Sequence, residues 1–331
     1  MLGVSKQAYH KQKGDSAARK AAQESFVLEY IKDIRSVDPG IGGMKLWYMY
    51  RQDFPDMERV GRDRFEDIIH RHGLKVRKKA RKPRTTDSTH GLPVFPNLVY
   101  SFIPTAVNQM WVSDITYIPI WLNDTEYVFC YLSLVMDAYS HEIIGWAVGP
   151  TLESSYTCDA LEMALGRLEG MDPELIKRLI HHSDRGVQYA SAEYIKKLQD
   201  HHIRISMTEN GDPRENAMAE RVNSTVKNEL LKGIRFTCIS EVRDAVAVAV
   251  SFYNQRRPHM SVDMMTPEKA AQCNGQIRKW WNSYREKAIK MKLNEVNPEK
   301  KFTFAPCNGL LPACGLQSTI TRDNASSVNF P

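Results

Sequence analysis

No apolar run in the 331 residues approaches the roughly 20 needed to span a bilayer, so no membrane partner is expected. The opening stretch MLGVSKQAYHKQKG has no apolar segment of the kind a secretory signal carries. Cytoplasmic residence is therefore the expectation. The six cysteines form no CxxC pair, and none lies near a His pair at zinc-ligand spacing, so a structural zinc module is excluded. Cys130 and Cys158 sit in apolar, periodic segments and read as reduced core residues. Internal repeats are also missing, which excludes a solenoid.

The hydrophobic fraction is 42%, enough for a packed core. Net charge is +6, unevenly placed. Residues 1–90 hold 20 Lys and Arg against 12 Asp and Glu, whereas the remainder holds 25 against 27. Seven basic residues crowd into KVRKKARKPR, Lys75 to Arg84. A solvated basic linker is one reading of that run. The reading preferred here is phosphate contact, with Arg77, Lys78 and Lys79 at its centre, because neutralising a nucleic-acid backbone needs such a cluster of cations.

Periodicity divides the chain. Phe26, Val27, Tyr30, Ile31 and Ile34 recur at helical spacing, DPGIGG breaks that helix, and MKLWYMYRQ begins another. A third helix carries Phe65, Ile68, Ile69 and Leu74 on one stripe and ends near Gly73. Residues 1–82 thus read as a basic helical region of helix-turn-helix type. Residues 83–104, with four prolines, read as a linker. The texture then changes. QMWVSDITYIPI, TEYVFCYLSLVMDA and HEIIGWAVG read as three successive strands. A helix at 154–168 follows, then a short strand RLIHHS, a helix capped by Ser191, and a strand IRISMT. A helix over 213–231 is expected, with Asp212 as cap, Pro213 in its first turn and Glu215 completing a capping box. Another starts at Ser240, with Val242, Ala245, Val246, Ala249, Phe252 and Tyr253 on one face. This order implies an α/β fold with a mixed sheet and helices on its faces. Residues 105–272 form its core, and 273–331 is an extension without an assigned role.

IHHSDRGVQY, Ile180 to Tyr189, turns abruptly polar where a strand should end. Asp184 is either an ordinary turn residue before Gly or part of a site. Asp114 interrupts an apolar strand, where an unpartnered charge is costly. Glu220 lies on a polar helical stripe Asn216–Glu220–Ser224–Lys227. Hard oxygen ligands of this kind suit one or two Mg²⁺ ions and phosphoryl chemistry.

Asp114, Asp184 and, with 35 residues between, Glu220 follow an order that resembles the carboxylate signature of retroviral integrases and of bacterial insertion-sequence transposases. The blocks WVSDITYI, DAYSHEIIGWAV, HHSDRGVQYAS, NAMAERVNSTVKNEL and YNQRRPHMSVDMMTP resemble those of the transposase encoded by the second frame of two-frame insertion sequences. The similarity runs from about residue 105 to 270 and more weakly to the N-terminus. His141, Glu215 and Val262 depart from the pattern, and none of them is a carboxylate of the triad.

The resemblance implies a ribonuclease H-like core with a five-stranded mixed sheet. It implies that Asp114, Asp184 and Glu220 hold two Mg²⁺ ions, with Mn²⁺ as a substitute, and cleave and transfer DNA strands at element ends. DNA ends and target DNA are the expected partners of a bacterial protein acting on DNA. A homo-oligomer on DNA and a fusion with an upstream-frame product are expected too. Asn216 and His182 would support the site, His182 also reading as a structural histidine. Lys227, Arg257 and His259 would touch phosphates, although Lys227 also reads as a surface lysine and Arg257 and His259 as helix-end residues. The alternatives are a ribonuclease H-like nuclease without strand transfer and a catalytically inactive DNA-binding regulator.

Overall fold

The β-branched and aromatic runs after residue 109 send successive side chains to two sheet faces, both buried over much of the length of the strands. The computed structural model of the chain describes residues 15–55, 60–76, 91–209, 215–283, 286–287, 289 and 291. Strands β1 (Met110–Trp121), β2 (Tyr127–Asp137), β3 (Ile143–Gly149), β4 (Ile180–Ser183) and β5 (Arg204–Met207) form one sheet in the order β3-β2-β1-β4-β5. β1 pairs antiparallel with β2 from Trp111↔Asp137 to Trp121↔Tyr127, and β2 pairs antiparallel with β3. β4 runs parallel to both β1 and β5. The expected mixed five-stranded sheet flanked by helices is present.

The helices, in chain order, are α1 (Asp15–Val37), α2 (Gly43–Asp53), α3 (Arg62–Arg71), α4 (Ser154–Leu165), α5 (Pro173–Ile176), α6 (Ala192–Asp200), α7 (Ala217–Thr225), α8 (Ile239–Gln255) and α9 (Pro267–Ala270). One sheet face carries Val112, Ile118, Leu132 and Leu134 into a core with Val222 of α7, Val242 and Val246 of α8, and Val27, Leu46 and Phe65 of α1–α3. The opposite face sends Trp111 and Val135 against Cys158, Leu161, Tyr194 and Leu198 of α4 and α6. Cys130 and Cys158 are buried free thiols, and burial pushes them up to about 11 and about 12. Ser191 accepts the Tyr194 N–H at the start of α6. Gly73, at φ +65°, closes the turn after α3.

Residues Met1–Ser283 make up one compact unit and Tyr284–Pro331 a second. Within the first, the helical region is joined to the sheet domain. The Gly40 N–H donates to the Glu229 carbonyl at 3.0 Å, and Arg256 meets Asp53 at 2.8 Å. The described part of the Pro-containing segment is anchored as well: Val99 is buried, and the Leu98 N–H donates to Ser206 Oγ at 2.9 Å. Among the described residues no helix is long and apolar enough to cross a membrane.

The expected helix over 213–231 is shorter and changes character. α7 starts at Ala217 with Asn216 as its cap, and Val226–Leu230 winds into a wider π-helical turn. Glu215 accepts the Glu209 N–H at 2.5 Å, and Asp212 and Pro213 lie outside the described residues.

Candidate active site

The parallel register sets two of the carboxylates. Val112 of β1 lies opposite His182 of β4, so Asp114 and Asp184 each stand two residues further along, at the same end of the sheet. β1 continues past Asp114, whereas β4 stops at Ser183. Asp184 therefore sits in the turn, and its Oδ1 accepts the Gly186 N–H at 3.0 Å. The turn reading of Asp184 is met by this bond, and the register puts the residue at the same sheet end as Asp114.

Asp114 is only 3% exposed. Its Oδ1 accepts the Ile115 N–H at 2.9 Å, and its Oδ2 accepts Asn223 Nδ2 at 2.9 Å. The amide orientation of Asn223 follows from charge, since its nitrogen must face the carboxylate. Asn216 donates through Nδ2 to the Ser113 carbonyl at 2.9 Å. Asn216, Glu220 and Asn223 are spaced at i, i+4 and i+7 and share one helical face. Both asparagines bind β1 at Ser113 and Asp114, so the helical face to which Glu220 belongs is docked on that strand. Sequence reasoning missed Asn223 and placed Ser224 on the stripe. The signal was present in the 216–220–223 spacing.

His182 is fully buried and acts as a brace. Its Nε2 lies 3.2 Å from the Glu215 carbonyl and its Nδ1 2.9 Å from Ser206 Oγ. A carbonyl only accepts, so the proton is on Nε2 and the Ser206 hydroxyl donates to Nδ1. This ties β4 to β5 and to the segment entering α7. The neighbouring His181 is held neutral by burial, down to about 3, with Ser113 Oγ and Tyr194 Oη against its Nε2.

The expected phosphate contacts are placed differently. Lys227 lies in the π-helical turn, its Nζ 3.4 Å from the centre of the Tyr117 ring. Arg257 and His259 are inside the protein, 4% and 9% exposed. Arg257 Nε bonds Glu229 Oε1 at 2.7 Å and lies 3.8 Å from Asp38, and its Nη1 donates to His259 Nε2 at 2.8 Å. Burial, with the Arg257 charge beside it, keeps His259 neutral, well below the usual histidine range. These two residues belong to the junction between helical region and sheet, because partners distant in sequence enclose them. Arg77, Lys78 and Lys79 lie outside the described residues.

The candidate donors are carboxylate oxygens, a hard ligand type of the kind that Mg²⁺ or Mn²⁺ takes. Among the described residues, no three His, Cys, Asp or Glu side chains are yet gathered tightly enough to form a metal cluster. The arrangement shown is Asp114 and Asp184 at one end of the β1–β4 register, with two asparagines of the α7 segment bonded to β1.

Comparison with known proteins gives a consistent picture. Two integrase core domain models match residues 104–213 and 201–267. The transposase assigned to insertion sequence element IS986/IS6110 of Mycobacterium tuberculosis is 30% identical over 259 residues, covering 77% of this chain and 90% of that relative. Transposase InsF for insertion sequence IS3A of Escherichia coli is 33% identical over 203 residues, 61% of this chain and 67% of the relative. A solved HTLV-2 integrase catalytic core in complex with magnesium aligns at TM-score 0.36 and 18% identity, over 50% of this chain and 98% of that one.

Proposed function

The chain belongs to the insertion-sequence transposases with an integrase-type core, and from that premise we propose that Asp114, Asp184 and Glu220 are its catalytic, metal-holding carboxylates. As a transposase it is a polynucleotidyl transferase that cuts DNA strands and joins them elsewhere. The observation that carries the assignment is the double clamp of α7. Asn216 on Ser113 and Asn223 on Asp114 dock the helical face of Glu220 on β1, and the β1–β4 register gives Asp184 the same sheet end; both support the reading.

The three carboxylates would hold two Mg²⁺ ions, with Mn²⁺ as a substitute; when bound, these activate the attacking water or 3′-hydroxyl and stabilise the leaving oxygen. The chain's own residues position those ligands. The Gly186 N–H fixes Asp184, Asn223 fixes Asp114, and His182 fixes the segment from which α7 starts. In-line attack by water or a DNA hydroxyl needs no protein nucleophile, which suits a site built from carboxylates and amides. We further assign DNA-end binding to residues 1–82, with Arg77, Lys78 and Lys79 as phosphate contacts, and the catalytic core to 105–272. Residues 83–104 join the two, and 273–331 extend the core. Lys227 is assigned to the DNA backbone beside the cut. Assembly into a homo-oligomer on element ends, action on DNA in a bacterial cytoplasm, and a fusion with an upstream-frame product complete the reading.

Incubation of the full chain with element-end DNA, Mg²⁺ and a target plasmid tests it. Asp114→Asn, Asp184→Asn and Glu220→Gln should each abolish cleavage and strand transfer while DNA binding persists. Chelation by EDTA should stop the wild-type reaction, and added Mg²⁺ or Mn²⁺ should restore it. Near-wild-type transfer by any one of the three variants would sink the assignment.

A further inference from the structure

β1 and β2 leave part of one sheet face bare near their hairpin. The cross-strand pairs Tyr117↔Tyr131, Pro119↔Phe129 and Trp121↔Tyr127 put these side chains on the same face. Their rings run as a chain of edge contacts. Tyr117 and Phe129 have centroids 4.8 Å apart, Phe129 and Tyr127 5.2 Å, and Tyr127 and Trp121 5.1 Å. Tyr117 and Tyr127 are each 48% exposed and Phe129 39%. Aromatic area of this extent, left in water by the described residues, marks a contact surface.

Two cations lie on the strip. Lys227 Nζ stands 3.4 Å from the Tyr117 ring centre, and the Arg235 guanidinium 4.4 Å from that of Trp121. The hairpin tip is acidic: Asp124 is bridged by Arg235 at 3.1 Å, and Glu126 accepts Asn123 Nδ2. An anionic ligand would therefore lie between Trp121 and Tyr117, clear of the tip. Tyr117 is three residues beyond Asp114 on the same strand, about 10 Å along it, and its side chain belongs to the opposite sheet face. The strip thus leads away from the carboxylates.

A ligand that matches alternating ring faces and cations has flat π-systems joined by negative charges, which describes unpaired DNA. A second copy of this chain fits less well, because its own strip offers rings and cations, and the acidic tip that could answer them is already bridged by Arg235 at Asp124. We propose that Tyr117, Phe129, Tyr127 and Trp121, flanked by Lys227 and Arg235, form a stacking platform for unpaired DNA bases, set apart from the site of the cut. The proposal rests on the transposase reading for its location relative to the cut.

The test measures binding of a fluorescent oligo(dT) strand and of a blunt duplex to the full chain, in EDTA and at low salt. Tyr117→Leu, Tyr127→Leu and Phe129→Leu combined keep the apolar area and remove the π-faces. Single-strand affinity should fall about tenfold or more, and duplex affinity should stay within about twofold. Unchanged single-strand affinity in a folded triple variant would overturn the proposal. So would a wild-type dimer in sedimentation that the triple variant loses with DNA affinity intact. Photocrosslinking of wild-type protein to an iododeoxyuridine strand gives a readout independent of variant folding. Crosslinked peptides should fall within 117–131, and crosslinks confined elsewhere would refute the platform. Because no cutting is measured, failure here leaves the carboxylate assignment standing, and failure of that assignment leaves this readout intact.

Discussion

Asn223 holds Asp114: its amide nitrogen lies 2.9 Å from Oδ2 of a carboxylate that is almost wholly buried. The bond joins the helix bearing Glu220 to the central strand. Asn223→Ala removes the donor and the clamp together. Cleavage should fall about 10- to 100-fold, the range for residues that orient metal ligands, with DNA affinity unchanged. Asn223→Asp should place a second carboxylate against Asp114, raise the proton affinity of the pair, and move the acid limb of the cleavage profile to higher pH. Single-turnover cleavage across pH checks both.

Salt dependence reports the basic segment. Replacing Arg77, Lys78 and Lys79 by Gln in the full chain should weaken DNA binding at low salt for all sequences alike. The slope of log K against log salt should shrink by up to about 3, near 0.9 for each lost phosphate contact. A slope equal to that of the wild type would remove these residues from the DNA contact.

The junction cluster should make stability depend on pH. Asp38 is fully buried, and burial together with the nearby Glu229 carboxylate raises it from 3.8 to about 7. The folded state thus binds this proton more tightly than the unfolded state does. The stabilisation is complete below about pH 4 and is lost as pH rises toward and through 7, by at most about 1.4 kcal/mol per pH unit. Lys45, lowered by burial to about 8, contributes a slope only near and above that pH. Asp38→Asn keeps the shape without the titration, so its urea midpoint should be flatter than the wild type's between pH 5 and 7.

Gly40 allows two backbones to touch. A Cβ there would meet Glu229 Cα at 2.5 Å and the Glu229 carbonyl oxygen at 2.8 Å. Gly40→Ala must push the α1–α2 turn away from the π-helical turn, at a cost of about 1–3 kcal/mol. Thermal melting should show the loss, and cleavage should fall with it because the same helix carries Glu220.

Much of this was readable in the residues themselves. Period-two runs located β1 and β2, Ser191 announced α6, and an aspartate two places before a glycine gave the Asp184 turn. The π-helical turn at Val226–Leu230 was not readable, because its composition is that of an ordinary helix and only hydrogen-bond spacing separates the two. Asn223 was passed over for Ser224, since either residue continues a polar stripe until a partner fixes the helix rotation. Arg257 looked like a helix-end cation. Its burial depends on Asp38 and Glu229, which local sequence does not bring near it.

The attachment of the helical region through Gly40 and Asp53 has a consequence for measurement along DNA. A reader hung on a loose tether would tolerate variable distances between its binding sequence and the cut. Under the proposed assignment, helices bolted to the sheet would behave as a ruler: DNA gripped by them would meet Asp114 and Glu220 at one spacing. Base pairs inserted between the gripped sequence and the scissile phosphate would then move the wrong bond to the carboxylates, by one helical step for each pair added.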